Sequence, residues 1–355
     1  MSEPSNYFSP DYNTARKRFK NAAHDAGAKQ YSLPIPGQTP TGEPLSIDIA
    51  WLGSATPKHV LLHSSGLHGV EGFSGTAIQL HTLTHLPKIP AEHALILVHT
   101  LNPYGMAWLR RANGENVDLN RNYLSDSTWE GASDAYRVLA PFLNPESPPR
   151  LDFFYLRIIA KILRYGFQAL KQALACGQYE FERGLFFGGK TLQAEIAQYR
   201  TWLTEHITPV QRLMVMDVHT GLGKAQAETL FMHANPNAHE KLEHALGQHI
   251  TLAPTSDAGY SVRGGMWSLY AEQFPQVDYI TQECGTVSPL QILNALRNEN
   301  RWHYYGDGNL HHPAKLGLKH AFCPDDKNWR EQALKMGVER LHQAAHYVFN
   351  DLADS

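Results

Sequence analysis

Six short apolar runs constrain the fold of this chain more than any other feature: Leu45 to Trp51, Val60 to His63, Ala94 to His99, Leu213 to His219, Thr229 to Met232 and Asp278 to Gln282. Each has the length and β-branched content of a strand. Between them lie stretches with apolar residues at helical spacing: Gly75 to His85, Leu151 to Ala175, Leu192 to His206 and Trp329 to Leu352. Alternation of this kind predicts an α/β sheet covered by helices on both faces. At 355 residues the chain fits two ordinary domains or one large α/β domain. No linker divides it, so a single domain over residues 1–355 is expected. The stretch from about 125 to 200 carries helical patterns and no convincing strand, which predicts a helical insertion.

Composition narrows the function classes. A hydrophobic share of 43% with 18% charged residues is ordinary for a folded globular protein. A formal charge of −3 leaves no excess of basic residues to coat a nucleic acid or an anionic membrane, so neither partner is expected. The opening MSEPSNYFSPDYNTARKRFKNAA lacks the apolar core of a signal peptide, no run reaches the length of a membrane span, and a cytoplasmic location is expected. Cys176, Cys284 and Cys323 are too few and too scattered for a disulfide framework or a thiolate metal site, so a metal here must use nitrogen and oxygen ligands.

His68-Gly69-Val70-Glu71 sets an imidazole and a carboxylate three residues apart, a spacing that lets one turn of backbone close on a divalent ion. With 20 histidines and 34 acidic residues, roughly two such pairs arise by chance, so its company decides. His68-x-x-Glu71, the segment Asn102 to Arg121, His219 and Glu283 each sit at or just after the downstream end of a strand-like run. In open α/β sheets ligands bind at that rim, so residues distant in sequence would converge there. Two histidines and one glutamate leave a fourth position open, the arrangement of catalytic rather than structural zinc.

The segment NPYGMAWLRRANGENVDLNRNY, Asn102 to Tyr123, resembles the second signature of the zinc carboxypeptidases of the carboxypeptidase A superfamily. An Asn-Pro-x-Gly turn, an arginine and Val-Asp-Leu-Asn-Arg-Asn occur in order. His-x-x-Glu precedes them, and a strand-ending histidine and a strand-borne glutamate follow. These motifs span about three-fifths of the chain. The resemblance implies a twisted, largely parallel mixed sheet and one zinc ion per chain, held by His68, Glu71 and His219. It implies that Asp118 orients the first histidine, that Asn120 and Arg121 clamp a terminal carboxylate of the substrate, and that Arg111 stabilises the oxyanion, with adjacent Arg110 as the alternative. Tyr260, followed by Ser-Val-Arg-Gly-Gly, resembles a mobile tyrosine that closes over substrate, and Glu283 in YITQECGT matches the general base.

Those residues suit metal-assisted hydrolysis: a metal acidifies water, a carboxylate takes the proton, and a cation polarises the attacked carbonyl. A planar guanidinium also meets a carboxylate bidentately. After the third ligand the chain reads Thr220-Gly221-Leu222-Gly223, where digestive carboxypeptidases have a serine-aromatic pair. His-Thr-Gly is more similar to the deacylase branch, which cleaves N-acyl amino acids. With HSSGLHGVEGFSG and Gly184-Leu185-Phe186-Phe187-Gly188-Gly189, the pattern is closest to a little-characterised bacterial branch, and the glycine-rich segment reads as a plain turn. The leading expectation is a carboxypeptidase-like metallopeptidase acting on peptides, followed by a deacylase of N-acyl amino acids and a catalytically silent metal-binding protein. Cys284 lacks a histidine placed to activate it, and Gly72-Phe73-Ser74-Gly75 does not form a nucleophile elbow, so thiol and serine chemistry are set aside.

Overall fold

The computed structural model describes residues 4–125, 128–207, 209–253 and 262–350. Among these residues eight strands form one sheet: β1 (Lys29–Gln38), β2 (Pro44–Gly53), β3 (His59–Ser65), β4 (His93–His99), β5 (Arg212–Thr220), β6 (Glu228–Met232), β7 (Ile250–Leu252) and β8 (Asp278–Cys284). Their order is β1-β2-β4-β3-β5-β8-β6-β7. The central β4, β3, β5 and β8 run parallel, β2 is antiparallel to β1 and β4, and β6 is antiparallel to β8 and parallel to β7. The four parallel strands therefore end on one rim. β3 and β4 are buried along their whole length, as expected for strands covered on both faces.

Helices cover both faces, as the register of β2 makes plain. Asp48 is bound by Arg16 Nε at 2.6 Å from the helix Tyr12–Asp25, whereas Trp51 meets Trp202 of the helix Ala194–Ile207 with ring centroids 6.2 Å apart. Side chains three apart on a strand point to opposite faces. On the Asp48 face the almost wholly buried helix Gly72–Thr84 and the closing helix Lys327–Asn350 pack against each other.

All six apolar runs are strands. β1 escapes the pattern because Pro34 and Pro36 interrupt it and most of its side chains are exposed. Among the described residues it is an edge strand paired with β2 alone, where a missing N–H can face away from the ladder. β7 is too short to carry a pattern.

Between β4 and β5 the described residues contain helices and one isolated bridge, Gln178 to Phe187, but no strand of the sheet. The single helix expected from Leu151 to Ala175 is two, Phe154–Tyr165 and Phe167–Ala175. Gly166 separates them at φ +84°, a backbone conformation that ends a right-handed helix. Tyr136, Leu139, Phe142, Phe154 and Ile158 share an apolar cluster with Leu293, Leu296 and Phe322, so this region packs on the helix Pro289–Tyr305.

Candidate metal centre and active site

The loop after β3 is shaped to receive the loop after β4. Asn102 caps the short helix Pro103–Ala107 by accepting the Gly105 N–H at 2.8 Å and donates Nδ2–H to Arg111 O at 3.1 Å. The Gly69 and Val70 N–H groups donate to Arg111 O and Arg110 O. A Cβ on Gly69 would lie 2.0 Å from the Gly105 carbonyl carbon, so the contact between the two loops requires glycine. This docking fixes His68 and Glu71 beside Arg111 and Asp118.

His68, Glu71 and His219 are buried together and form the one group of three or more potential metal-binding side chains among the described residues. His68 Nδ1 lies 3.0 Å from Glu71 Oε1, His219 Nδ1 lies 3.1 Å from Glu71 Oε2, and the two Nδ1 atoms are 3.2 Å apart. A tetrahedral zinc ion with bonds of about 2.0–2.2 Å separates its ligand atoms by roughly 3.4 Å. The triangle is within a few tenths of an ångström of that size, and two imidazoles with a carboxylate are the donor types zinc takes. The residues fit the ion.

Both rings are oriented from behind by carboxylates. His68 Nε2 lies 3.2 Å from Asp118 Oδ1, and His219 Nε2 donates to Asp217 Oδ2 at 2.8 Å. Asp217 also accepts from Ser64 Oγ at 2.7 Å and Tyr279 Oη at 2.8 Å, and is thereby fixed. Glu71 accepts the Thr220 N–H at 3.0 Å. Burial pushes the Glu71, Asp118 and Asp217 carboxyls up, but their cationic and hydrogen-bonding neighbours outweigh it and hold all three below the usual range. Burial likewise disfavours a charged His219, yet Asp217 and Glu71 hold it well above the ordinary histidine value. Sequence reading missed Asp217. Its signal is the spacing Asp-Val-His, which puts Asp217 and His219 on the same face of β5.

Of the two arginines, Arg111 lies at this centre. Its Nε donates to Asp118 Oδ2 at 3.0 Å, and Nη1 lies 3.5 Å from Glu71 Oε1. Arg110 points elsewhere, fully buried on Glu299 at 3.0 Å with Asn116 and Asn300. Glu283 stands beside His219 in the register of β5 and β8, and its Oε2 accepts a long bond from Leu222 N at 3.4 Å. Burial pushes its carboxyl up to about 7, with His219 opposing and Glu71 adding to the effect. Cys284 is buried, and burial pushes its thiol up to about 12, which keeps it protonated.

Asp118 caps the turn Leu119–Arg121 by accepting the Asn120 N–H at 3.0 Å. Asn120 Oδ1 accepts the Met266 N–H at 3.0 Å. Arg121 is 5% exposed, donates Nη1–H to Asn120 O, has no carboxylate partner among the described residues, and its Nε lacks any partner there. Tyr260 lies outside the described residues. The Gly184–Gly189 segment is more than a plain turn: Phe187 O accepts the Asp118 N–H at 2.7 Å, Asn122 donates to Gly188 O at 2.9 Å, and the Phe186 ring lies 5.6 Å from the Arg111 guanidinium. It braces the strip that carries Asp118, Asn120 and Arg121.

Residues 8–336 match the family described as "Protein of unknown function (DUF2817)". The chain belongs to that family. No curated protein matches this DUF2817 chain in sequence. Among solved structures, bovine thrombin-activatable fibrinolysis inhibitor, in complex with tick carboxypeptidase inhibitor, is similar with a TM-score of 0.56 at 11% identity over 98% of this chain and 99% of that one. Carboxypeptidase A from Helicoverpa armigera is similar with a TM-score of 0.50 at 15% identity over 94% of this chain and 74% of that one. The DUF2817 protein therefore has a carboxypeptidase-like fold.

Removing the carboxylate behind His219 tests the support it gives the ring. Asp217→Asn is expected to weaken zinc affinity by about 10- to 100-fold, measured by competition with a chromogenic chelator. Unchanged affinity would mean that Asp217 serves only to tie Ser64 and Tyr279 together.

Proposed function

We propose that this DUF2817 protein is a zinc-dependent hydrolase that cleaves an amide or peptide bond next to a free carboxylate, in the manner of a carboxypeptidase. The observation that carries the reading is the closed His68–Glu71–His219 triangle on the rim that also holds Arg111 and Glu283. His68, Glu71 and His219 would hold the ion, with Asp118 and Asp217 fixing the two rings. Zinc bound there supplies Lewis acidity towards water and the scissile carbonyl. Glu283 takes the proton of the attacking water and returns it to the leaving nitrogen. Arg111 donates to the carbonyl oxygen as negative charge develops on it. Asn120 and Arg121 hold the substrate carboxylate, and the buried guanidinium of Arg121, which has no carboxylate partner among the described residues, supports that role. Tyr260 is proposed to close over the substrate on its resemblance alone.

The deacylase reading rests on Thr220 following His219. The Thr220 hydroxyl donates to Phe322 O at 2.6 Å and is buried, so it is not presented to a substrate. A catalytically silent metal-binding protein has no use for the half-buried Glu283 held ready to accept a proton. Amino acid release from a panel of free-acid dipeptides, compared with their N-acyl amino acid counterparts, tests the choice. Release confined to the N-acyl series would transfer the protein to the deacylases.

Elemental analysis of the purified protein is expected to give about one divalent ion per chain, and His219→Ala is expected to lose it. Protein that neither carries zinc nor takes it up on titration would remove the metal from the reading.

A further inference from the structure

Among the described residues, eight of the thirteen exposed large apolar side chains fall between Leu151 and Phe167. They do not scatter over the segment. At 100° per residue, Leu156, Ile159 and Leu163 form one outward stripe on the helix Phe154–Tyr165, with Leu156 68% and Leu163 83% exposed. Phe154 and Ile158 face inward, so the helix is apolar on two opposite sides. Aromatic rings flank the stripe at both ends, Phe153 and Tyr155 before it, Tyr165 and Phe167 after it, all exposed.

Charge identifies what fits this face. Residues 150–171 carry Arg150, Arg157, Lys161, Arg164 and Lys171 against a single acid, Asp152, in a chain whose formal charge is −3. Asp152 is turned inward to Arg297 and Arg301. Arg157 and Lys161 turn towards the Phe142 ring on the inner side, with Arg157 Nη1 3.9 Å from Asp152, whereas Arg164, over the Tyr165 ring, and Arg150 before the helix are the exposed cations beside the stripe, where long side chains can lie over apolar surface with their charged heads outward. An apolar stripe with a basic edge and aromatic ends has the chemistry of a helix lying in the headgroup layer of an anionic membrane. At 12 residues the helix is too short to span one, and no described helix is long and apolar enough to cross a membrane. A second copy of the chain fits less well, because a two-fold contact through this stripe brings two identical basic edges together.

We propose that the helix Phe154–Tyr165 with its flanks docks the protein on anionic lipid surfaces. The near-neutral charge of the whole chain conceals this local concentration, which is why composition argues against a membrane partner. Co-sedimentation of the intact protein with vesicles of phosphatidylcholine, with and without phosphatidylglycerol, tests the proposal. Binding is expected to the phosphatidylglycerol vesicles and to fall severalfold as salt rises towards 0.5 M. Leu156→Asp with Leu163→Asp is expected to lower partitioning by at least about tenfold, and Arg150→Glu with Arg164→Glu to abolish the preference for anionic lipid. All four side chains are exposed, so circular dichroism and metal content should be unchanged and separate lost docking from lost fold. Equal binding by the Leu156 and Leu163 double variant would overturn the proposal. So would a wild-type dimer, detected by sedimentation velocity, that this variant dissociates while no vesicle binding is seen.

Discussion

Glu283→Gln is expected to lower kcat by about a hundredfold to ten-thousandfold while the protein keeps its fold and its metal. An amide preserves the shape of the side chain and the weak contact with Leu222 N, but it cannot take a proton from water. The pH profile supplies a second readout. In its proposed role as base Glu283 must be ionised, and burial raises its carboxyl to about 7, so kcat/KM is expected to fall as pH drops through that region and the group takes up its proton. A divalent ion at the neighbouring triangle favours the carboxylate, so the acid limb of the metal-loaded enzyme should lie at or below about 7 and move up if a weaker Lewis acid is substituted. In Glu283→Gln the limb should vanish from the residual rate. Near-normal turnover by a metal-replete Glu283→Gln protein would move the base to another carboxylate.

The second large effect concerns Arg121. Its guanidinium is buried without a carboxylate among the described residues, so a substrate carboxylate placed against it would supply the partner that those residues do not. Arg121→Ala is expected to reduce kcat/KM for free-acid substrates by the equivalent of about 2–5 kcal/mol. It should matter far less for the C-terminally amidated substrate, which wild type should already cleave poorly. Comparing kcat/KM for the two substrates in wild type and variant gives the coupling as a double-mutant cycle. Equal cleavage of both forms by wild type would remove the carboxylate clamp and point to an amidase or endopeptidase that ignores the terminus. The segment Gly177–Gly189 bears on the same test, because Tyr179 Oη donates to Arg121 O at 2.7 Å and holds the backbone that presents the guanidinium.

Local signals carried much of the reading. The interior strands β3, β4, β5 and β8 announce themselves because burial on both faces demands continuous apolar runs. The grouping of His68, Glu71 and His219 was legible because His68 and Glu71 share one turn and His219 ends the best-defined strand. β1 was hidden because an edge strand need not be apolar and tolerates Pro34 and Pro36. Asp217 was hidden in plain view: as an acid inside an apolar run it counts as a break in the pattern until a ring is seen to need it.

What the sequence by itself determined was the alternation that builds the sheet, the donor types at the centre and the rim on which they gather, since all of these follow from periodicity and from side-chain chemistry within short spans. What only the tertiary structure decided were relations between distant segments. Arg110 and Arg111 are indistinguishable as neighbours in sequence, and the docking of the loop after β4 turns one onto Glu299 and the other onto Glu71 and Asp118. Arg121, without a carboxylate partner among the described residues, is seen to be buried only once Gly177 is packed against its side chain. The outward stripe of Phe154–Tyr165 becomes visible only once the opposite face of that helix is seen to be buried. Periodicity states that a helix has apolar sides, and only packing determines which of them is left for a partner.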